Sequence, residues 1–567
     1  MTTRSRKIPI TEFLLSFLTL CVATVAAAEL PALKQVGDKV LLHVDGAPYP
    51  ILGGQVMNSS SFDPEWMESV FDRTKAFHAN TLIAPISWQA VEPEEGKFDF
   101  SLVDSLINQA RARDMRLILQ WFGTWKNARS FYVPGWVKTD MDRFQRMESA
   151  DGGRLEVISY LCGETNAADT RAFVEFMRHL KKVDGAQNTV VMVQIQNEVG
   201  LLGDTRDRSP IARRAFEGQV PAELIDHLVR NKDRLTPHLK NVWALPGYRE
   251  KGTWTEIFGD GIEADEIFMA WHYARYIDRM AGAGKAVHPL PMFVNAWIGQ
   301  LEVGVPGKYP SGGPVARMMD VWKAGAPKID LLSADIYAFY TLRCREFARK
   351  DNPLFVSEAC ALWLGDRWSA PAKAFYTIAE CQGIGFSPFG IDHDHYPADH
   401  PIGVAYSALE NLRPLIVRHF GTENLRGFFK EGEETETSIT IGPYRFNITY
   451  QPLLDDCYGL IARNGENEFI FAGNGARIVF APTNPADHPG VSITLVEEGS
   501  LNADGIFVRK RLVGGDETIG TAGIKLPAHG YDLSHHRNNM SILRVRLFLH
   551  PPRGNGAAQG PDTTPEF

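Results

Sequence analysis

The feature that most constrains this chain is a repeated alternation of short apolar stretches with amphipathic ones. Residues 80–87 (NTLIAPIS), 115–121 (MRLILQW), 190–200 (VVMVQIQNEVG), 291–297 (PMFVNAW), 329–336 (IDLLSADI), 353–357 (PLFVS) and 383–389 (GIGFSPF) are short and mostly apolar. Such runs read as strands of a parallel sheet covered on both faces. Between them, residues 100–113, 170–180, 264–280 and 402–419 have helical spacing. Residues 41–53 (LLHVDGAPYPILG) read as a hairpin turning at Asp45-Gly46. The alternation lasts about 350 residues, the size of a (β/α)8 barrel with insertions.

The strand ends are unusual. Trp88, Trp121, Asn197-Glu198, Asn295, Tyr337, Glu358 and Asp392 all sit at or just past them. In such a barrel they would converge on the C-terminal face, where active sites are built. A carboxylate closing an apolar strand is costly to bury unless it is paired or used. Glu198 and Glu358 close the fourth and seventh predicted strands. Inward-facing groups there can come within about 5–5.5 Å, the carboxyl spacing of a retaining glycosidase.

A chain of 567 residues exceeds one core, so more than one domain is expected. The character changes near Gly421 to short alternating strands broken by Gly, Asn and Pro. The predicted organisation is a signal peptide at 1–28, a catalytic barrel with its N-terminal hairpin at 29–420, a β-sandwich-like antiparallel domain at 421–550, and a disordered Pro/Gly-rich tail at 551–567. Arg4, Arg6 and Lys7 precede an apolar stretch too short to span a bilayer comfortably, and Ala26-Ala27-Ala28 offers a cleavage site before Glu29. The expectation is a periplasmic or secreted protein with no membrane association after cleavage. Removing Cys21 leaves Cys162, Cys344, Cys360, Cys381 and Cys457, with no close pair; mostly buried free thiols are expected. A net charge of −9 argues against nucleic acid as partner.

Three motifs occur in order: WQAVEPEEGKFDF (88–100), VVMVQIQNEVG (190–200) and NPLFVSEAC (352–360). Together they resemble glycoside hydrolase clan A, and most closely its family 35 and family 42 β-galactosidases, over roughly residues 40–420. The resemblance implies Glu198 as acid/base and Glu358 as nucleophile, acting without metal or cofactor on a carbohydrate. Two segments depart from the family 35 pattern: GGQVMNSS (53–60) after the hairpin and QWFGTWKN (120–127) after the third strand. These shape the sugar pocket.

The expected chemistry follows from the bond to be broken. A poor leaving group must be protonated and an oxocarbenium-like charge stabilised, which two carboxyls of split pKa can do. Tyr337 is expected to hold Glu358, and Asn197 to bond the sugar 2-hydroxyl. Trp88, Trp121, Asn295, Trp297 and Asp392 are read as substrate-binding; for the tryptophans, and for Trp125, core packing is the competing reading. The loop 391–400 (IDHDHYPADH) matches no zinc spacing and is read as polar pocket lining. Glu92, Glu94 and Glu95 are read as a solvated loop. The expected activity is a retaining exo-β-glycosidase, foremost a β-galactosidase. A β-glucosidase or α-L-arabinopyranosidase with the same chemistry, or a non-catalytic carbohydrate-binding barrel, are the rivals. The β-domain is expected to support the barrel or a homo-oligomer contact.

Overall fold

A computed structural model describes residues 29–298, 304–362, 369–393, 400–528 and 540–552. The export segment at 1–28, Asp394 and His395 of the loop after the last predicted barrel strand, His535-His536 and tail residues 553–567 lie outside the described residues.

Eight strands form a closed parallel barrel: β1 (Ile51–Gln55), β2 (Thr81–Ser87), β3 (Arg116–Lys126), β4 (Val190–Asn197), β5 (Met292–Trp297), β6 (Leu331–Ile336), β7 (Phe355–Ala361) and β8 (Gly385–Phe389). They follow chain order around the barrel, and β8 pairs with β1 to close it. The main covering helices are α1 (Pro64–Ala76), α2 (Ser101–Ala112), α3 (Gly163–Asp184), α4 (Ile262–Val287) and α5 (Pro401–His419). The barrel interior is layered. Ile51, Ile83, Ile118, Met192, Phe293, Leu331 and Phe355 form an apolar floor, one residue from each of seven strands. Leu41, Leu42 and Val44 of a small N-terminal antiparallel sheet cluster with that floor. Above it the inward residues turn polar. Gln120 donates to Gln194, and Gln194 to Asn295, each at 3.0 Å. Ser333 and Ser357 touch through their hydroxyls at 2.6 Å. An apolar floor with polar rings above it aims the chemistry at one mouth.

The elements differ from the sequence reading in instructive places. The hairpin uses Lys39–Val44 and Ala47–Pro48, and Ile51–Gln55 leaves it to become β1. β3 runs on to Lys126, and α3 spans Gly163–Asp184. Glu92 is fully buried rather than solvated. It accepts from Trp88 Nε1 at 2.7 Å and from Gly96 N at 2.7 Å, and meets Arg171 at 3.2 Å.

From Leu425 the chain forms a six-stranded and a five-stranded antiparallel sheet. Phe446, Phe469, Phe471 and Phe480 fill the space between them. Leu425, Phe429, Tyr458, Leu460, Leu501 and Phe507 belong instead to the same apolar cluster as the barrel's Phe375 and Leu409. Arg426 clamps Glu380 through two bonds of 2.9 and 2.8 Å. Among the described residues the five cysteines are buried thiols with no disulfide between them. Among the described residues no helix is long and apolar enough to cross a membrane.

Candidate active site

The end of β4 answers why an apolar strand finishes in Gln196, Asn197 and Glu198. Gln194 points into the barrel, so strict alternation would send Gln196 there too. Instead Gln196 and Glu198 both adopt left-handed backbone, with φ of 61° and 46°. Gln196 turns outward, donating to Asp169 of α3 at 2.7 Å and accepting from Trp125 N at 2.8 Å. Left-handed non-glycine residues store strain, and they gather where a site needs a side chain re-aimed. On β7 an extra residue between Val356 and Ala359, relative to β8, makes a bulge. It lets Ser357 and Glu358 both reach the interior, a common use of bulges beside active sites.

One carboxylate oxygen from each of Glu198, Asp335 and Glu358 lies within 4.8 Å of the others. All three residues are buried, and Asp335 pairs directly with Glu358 across β6 and β7. Glu358 is gripped at both oxygens: Tyr337 Oη donates to Oε1 at 2.5 Å and Gln55 Nε2 to Oε2 at 2.8 Å. Two donors on one carboxyl suit its ionised form, which only accepts. Glu198 accepts from Asn127 Nδ2. Its pKa is raised to about 7, first by burial and then by the negative charge of Glu358; Lys126 and a hydrogen bond with Asp335 oppose the rise. Burial also lifts Asp335 well above the carboxylate range, with Glu358 and Glu198 adding to it. Burial and Glu358 likewise raise the Tyr337 hydroxyl, which stays protonated to donate.

Asn197 accepts from Lys126 Nζ at 2.8 Å, while its Nδ2 is buried with no partner among the described residues. Gln55 Oε1 is in the same state. A buried polar atom without a partner is rare and costly. Here one donor and one acceptor are left unbonded on residues that flank the acids.

The structure therefore brings Glu198, Glu358, Asn197 and Tyr337 together. Trp297 is half-buried, two residues past the inward Asn295 and so on the same face of β5. Four other residues read from the sequence as substrate-binding need correction. Trp88 is fully buried, bonded to Glu92 and edge-on to Trp136. Trp121 alternates with the inward Gln120 and so faces out, where it bonds Asp169 and packs on Phe173 and Phe176. Asn295 is an internal brace: its Oδ1 accepts from Gln194 and from Glu198 N, and its Nδ2 donates to Asp335 at 2.6 Å. Asp392 is 2% exposed and its two carboxylate oxygens share the Met57 N–H, at 3.0 and 3.2 Å. Trp125 is core as well, bonding Ile158 O and packing on Tyr273 and Tyr276. The sequence reading singles out none of Asp335, Gln55, Lys126 and Asn127. Asp335 carries a signal there, lying two residues before Tyr337 and so on the same face of an apolar strand.

Comparison with known proteins follows the geometry. Residues 58–245 match a family model described as Beta-galactosidase (Glyco_hydro_42), and residues 402–523 match one described as Domain of unknown function (DUF5597). No curated protein matches the chain. Among solved structures, the β-galactosidase from Bacillus circulans sp. alkalophilus is 12% identical, with a TM-score of 0.43 over 64% of this chain and 56% of that one. The β-galactosidase from Rahnella sp. R3 is 16% identical, with a TM-score of 0.42 over 64% and 56%. The exo-β-1,4-mannosidase Op5Man5 from an Opitutaceae bacterium is 14% identical, with a TM-score of 0.36 over 60% and 52%. The chain thus spans little more than half the length of these enzymes. The family 42 match includes β2, β3 and β4 and ends well before Glu358. A third of the chain, the part that carries Asn197-Glu198, thus matches the family 42 model, and this chain resembles the family 42 β-galactosidases.

Proposed function

We propose that the chain is a retaining exo-β-glycosidase, foremost a β-galactosidase, that removes terminal β-D-galactosyl residues by double displacement. The observation that carries this reading is the close pair of unlike carboxyls. Glu358 is held by two donors as an acceptor, and Glu198 has a pKa raised to about 7 by burial and by Glu358. Glu358 attacks the anomeric carbon while Glu198 gives its proton to the departing oxygen. A sugar–Glu358 ester forms and the glycosidic bond breaks. Glu198, now a carboxylate, takes a proton from water as the water displaces Glu358 with a second inversion. Asn197 Nδ2, otherwise unpartnered, suits the sugar 2-hydroxyl, and Trp297 offers an apolar face to a sugar ring. β-Glucosidase and α-L-arabinopyranosidase are the alternatives with the same chemistry, and a panel of aryl glycosides differing at the sugar's C2, C4 and C5 distinguishes them. Turnover of any aryl glycoside would rule out a non-catalytic binding barrel.

Chemical rescue tests the roles. Glu198→Ala should keep its first step on aryl groups that leave without protonation, and should lose turnover on poor leaving groups. Azide, a nucleophile that needs no base, should restore its turnover and give a β-glycosyl azide. Glu358→Ala should stay nearly inactive, and azide there should yield only the α-azide. An α-azide from Glu198→Ala, or equal responses from both variants, would refute the assignment. The segment at 1–28 supports a periplasmic or secreted location. Intact Met1 on protein recovered outside the cytoplasm would contradict it, and a start at or near Glu29 would support it.

A further inference from the structure

The reaction above needs two carboxyls, and the site holds three. Asp335 is 1% exposed and has no role in a two-carboxylate mechanism. Its surroundings are specific. Glu198 reaches it from the end of β4, Glu358 and Ser357 from β7, Asn295 from β5, Tyr337 from just past its own strand, and the facing cation is Lys126 of β3. Lys126 is already bonded to Asn197.

The hydrogen bonds fix which oxygen of Asp335 does what. The backbone N–H of Glu198 can only donate, and it donates to Asn295 Oδ1 at 3.0 Å. The amide of Asn295 is therefore oriented, and its Nδ2 must face Asp335 Oδ2, at 2.6 Å. Oδ2 accepts at 2.6 Å and Oδ1 meets only the longer 3.4 Å contact with Ser357 Oγ, so Oδ1 is the oxygen better placed to carry a proton. Glu198 and Asp335 each bring a carboxyl oxygen within 4.8 Å of the other, and two buried carboxyls so close to each other and to Glu358 do not both ionise.

We propose that Asp335 is a positioning residue of the reaction: it stays neutral through the cycle and donates a hydrogen bond to Glu198, easing release of the Glu198 proton to the leaving group. This rests on the glycosidase reading above. In the first step Glu198 loses its proton to the glycosidic oxygen and becomes a carboxylate. The Asp335 O–H then bonds a charged acceptor, which is stronger than bonding a neutral one. In the second step water returns a proton to Glu198. The Asp335 proton never leaves, so the cycle balances without it. The arrangement counters the burial and the Glu358 charge that would otherwise make Glu198 too weak an acid; burial that raises the Asp335 pKa keeps the proton in place.

The test uses the full chain with Asp335→Asn and Asp335→Ala. Asparagine copies a neutral aspartic acid: its oxygen accepts from Asn295 and its Nδ2 donates to Glu198. Asp335→Asn should retain clearly more activity than Asp335→Ala and leave the alkaline limb of the kcat/KM–pH profile in place. Asp335→Ala should slow turnover by about tenfold or more on poor leaving groups and much less on good ones. The infrared difference spectrum of wild type minus Asp335→Asn at neutral pH should show the carbonyl band of a neutral carboxyl, which belongs to Asp335 alone. A limb shifted down by about one pH unit in Asp335→Asn would mean Asp335 works ionised, and would overturn the proposal. Equal losses in both variants on all leaving groups, or no such band, would overturn it too. Wild type without turnover on any glycoside would refute the glycosidase reading and this proposal with it. Normal wild-type turnover with a shifted Asp335→Asn profile refutes this proposal alone.

Discussion

Glu198 ties stability to pH through one proton. Its folded pKa is raised from 4.5 to about 7, so the folded chain keeps a proton that the unfolded chain has released. The stability this proton contributes is complete below about pH 4.5 and is lost as pH rises through about 7. The melting temperature of wild type relative to Glu198→Gln should therefore fall across that interval, and kcat/KM should decline on the same alkaline side. A difference that stays flat with pH would contradict the raised pKa. At this scale the sequence is readable where a residue type is out of place. Glu198, Glu358 and Tyr337 end apolar strands, and the cost of burying them flags them. Gln55, Lys126 and Asn127 are ordinary polar residues in ordinary positions. Their meaning comes from partners across the barrel mouth, as with Gln55 and Glu358.

Among the elements, α3 does more than cover the barrel. Its Asp169 is fully buried and accepts from Trp121 Nε1, Thr124 N, Thr124 Oγ1 and Gln196 Nε2, at 2.7–3.1 Å. It ties the ends of β3 and β4 to one helix and holds Gln196 in the turn that precedes Glu198. Asp169→Ala would leave those donors buried and unpaired, a loss of about 3 kcal/mol. Thermal denaturation should show that loss. Activity should fall further than Asp169→Asn allows, because Gln196 no longer anchors the strand end. An alanine variant with unchanged activity would mean the anchor is dispensable. Helical spacing in the sequence begins at residue 170, one past Asp169, although the helix starts at Gly163. The residues before 170 lack an apolar stripe, because Asn166 and Asp169 are buried by hydrogen bonding rather than by hydrophobicity. The same blindness puts Trp121 in the sugar pocket, since strand parity decides its face and Gln120 alone does not reveal which way is in.

The whole molecule reads as two bodies in sequence, a barrel and a β-sandwich, and the change in strand pattern near Gly421 is visible in the chain itself. What is not visible there is how they share apolar surface. Phe429 of the sandwich packs edge-on against Tyr340 and Tyr376 of the barrel. The alternating pattern marks which sandwich residues are apolar without saying which of two faces meets the barrel. The match at residues 402–523 likewise begins inside α5 and ignores the boundary. Barrel closure has a further outcome, in time rather than space. Gln55 and Glu358 lie 303 positions apart, and the ring cannot close on β1 until β8 has been made. Pairings over such distances are slow to form because their loop entropy is spent before any contact repays it. On refolding from denaturant, helix signal in the far-ultraviolet should return well before hydrolysis does, with the lag set by closure of the ring. Simultaneous return of both would show that the ring closes early. On a ribosome Glu198 of β4 is made long before Glu358 of β7, so the two carboxyls of each new chain are framed in one mouth only when its first and last barrel strands meet.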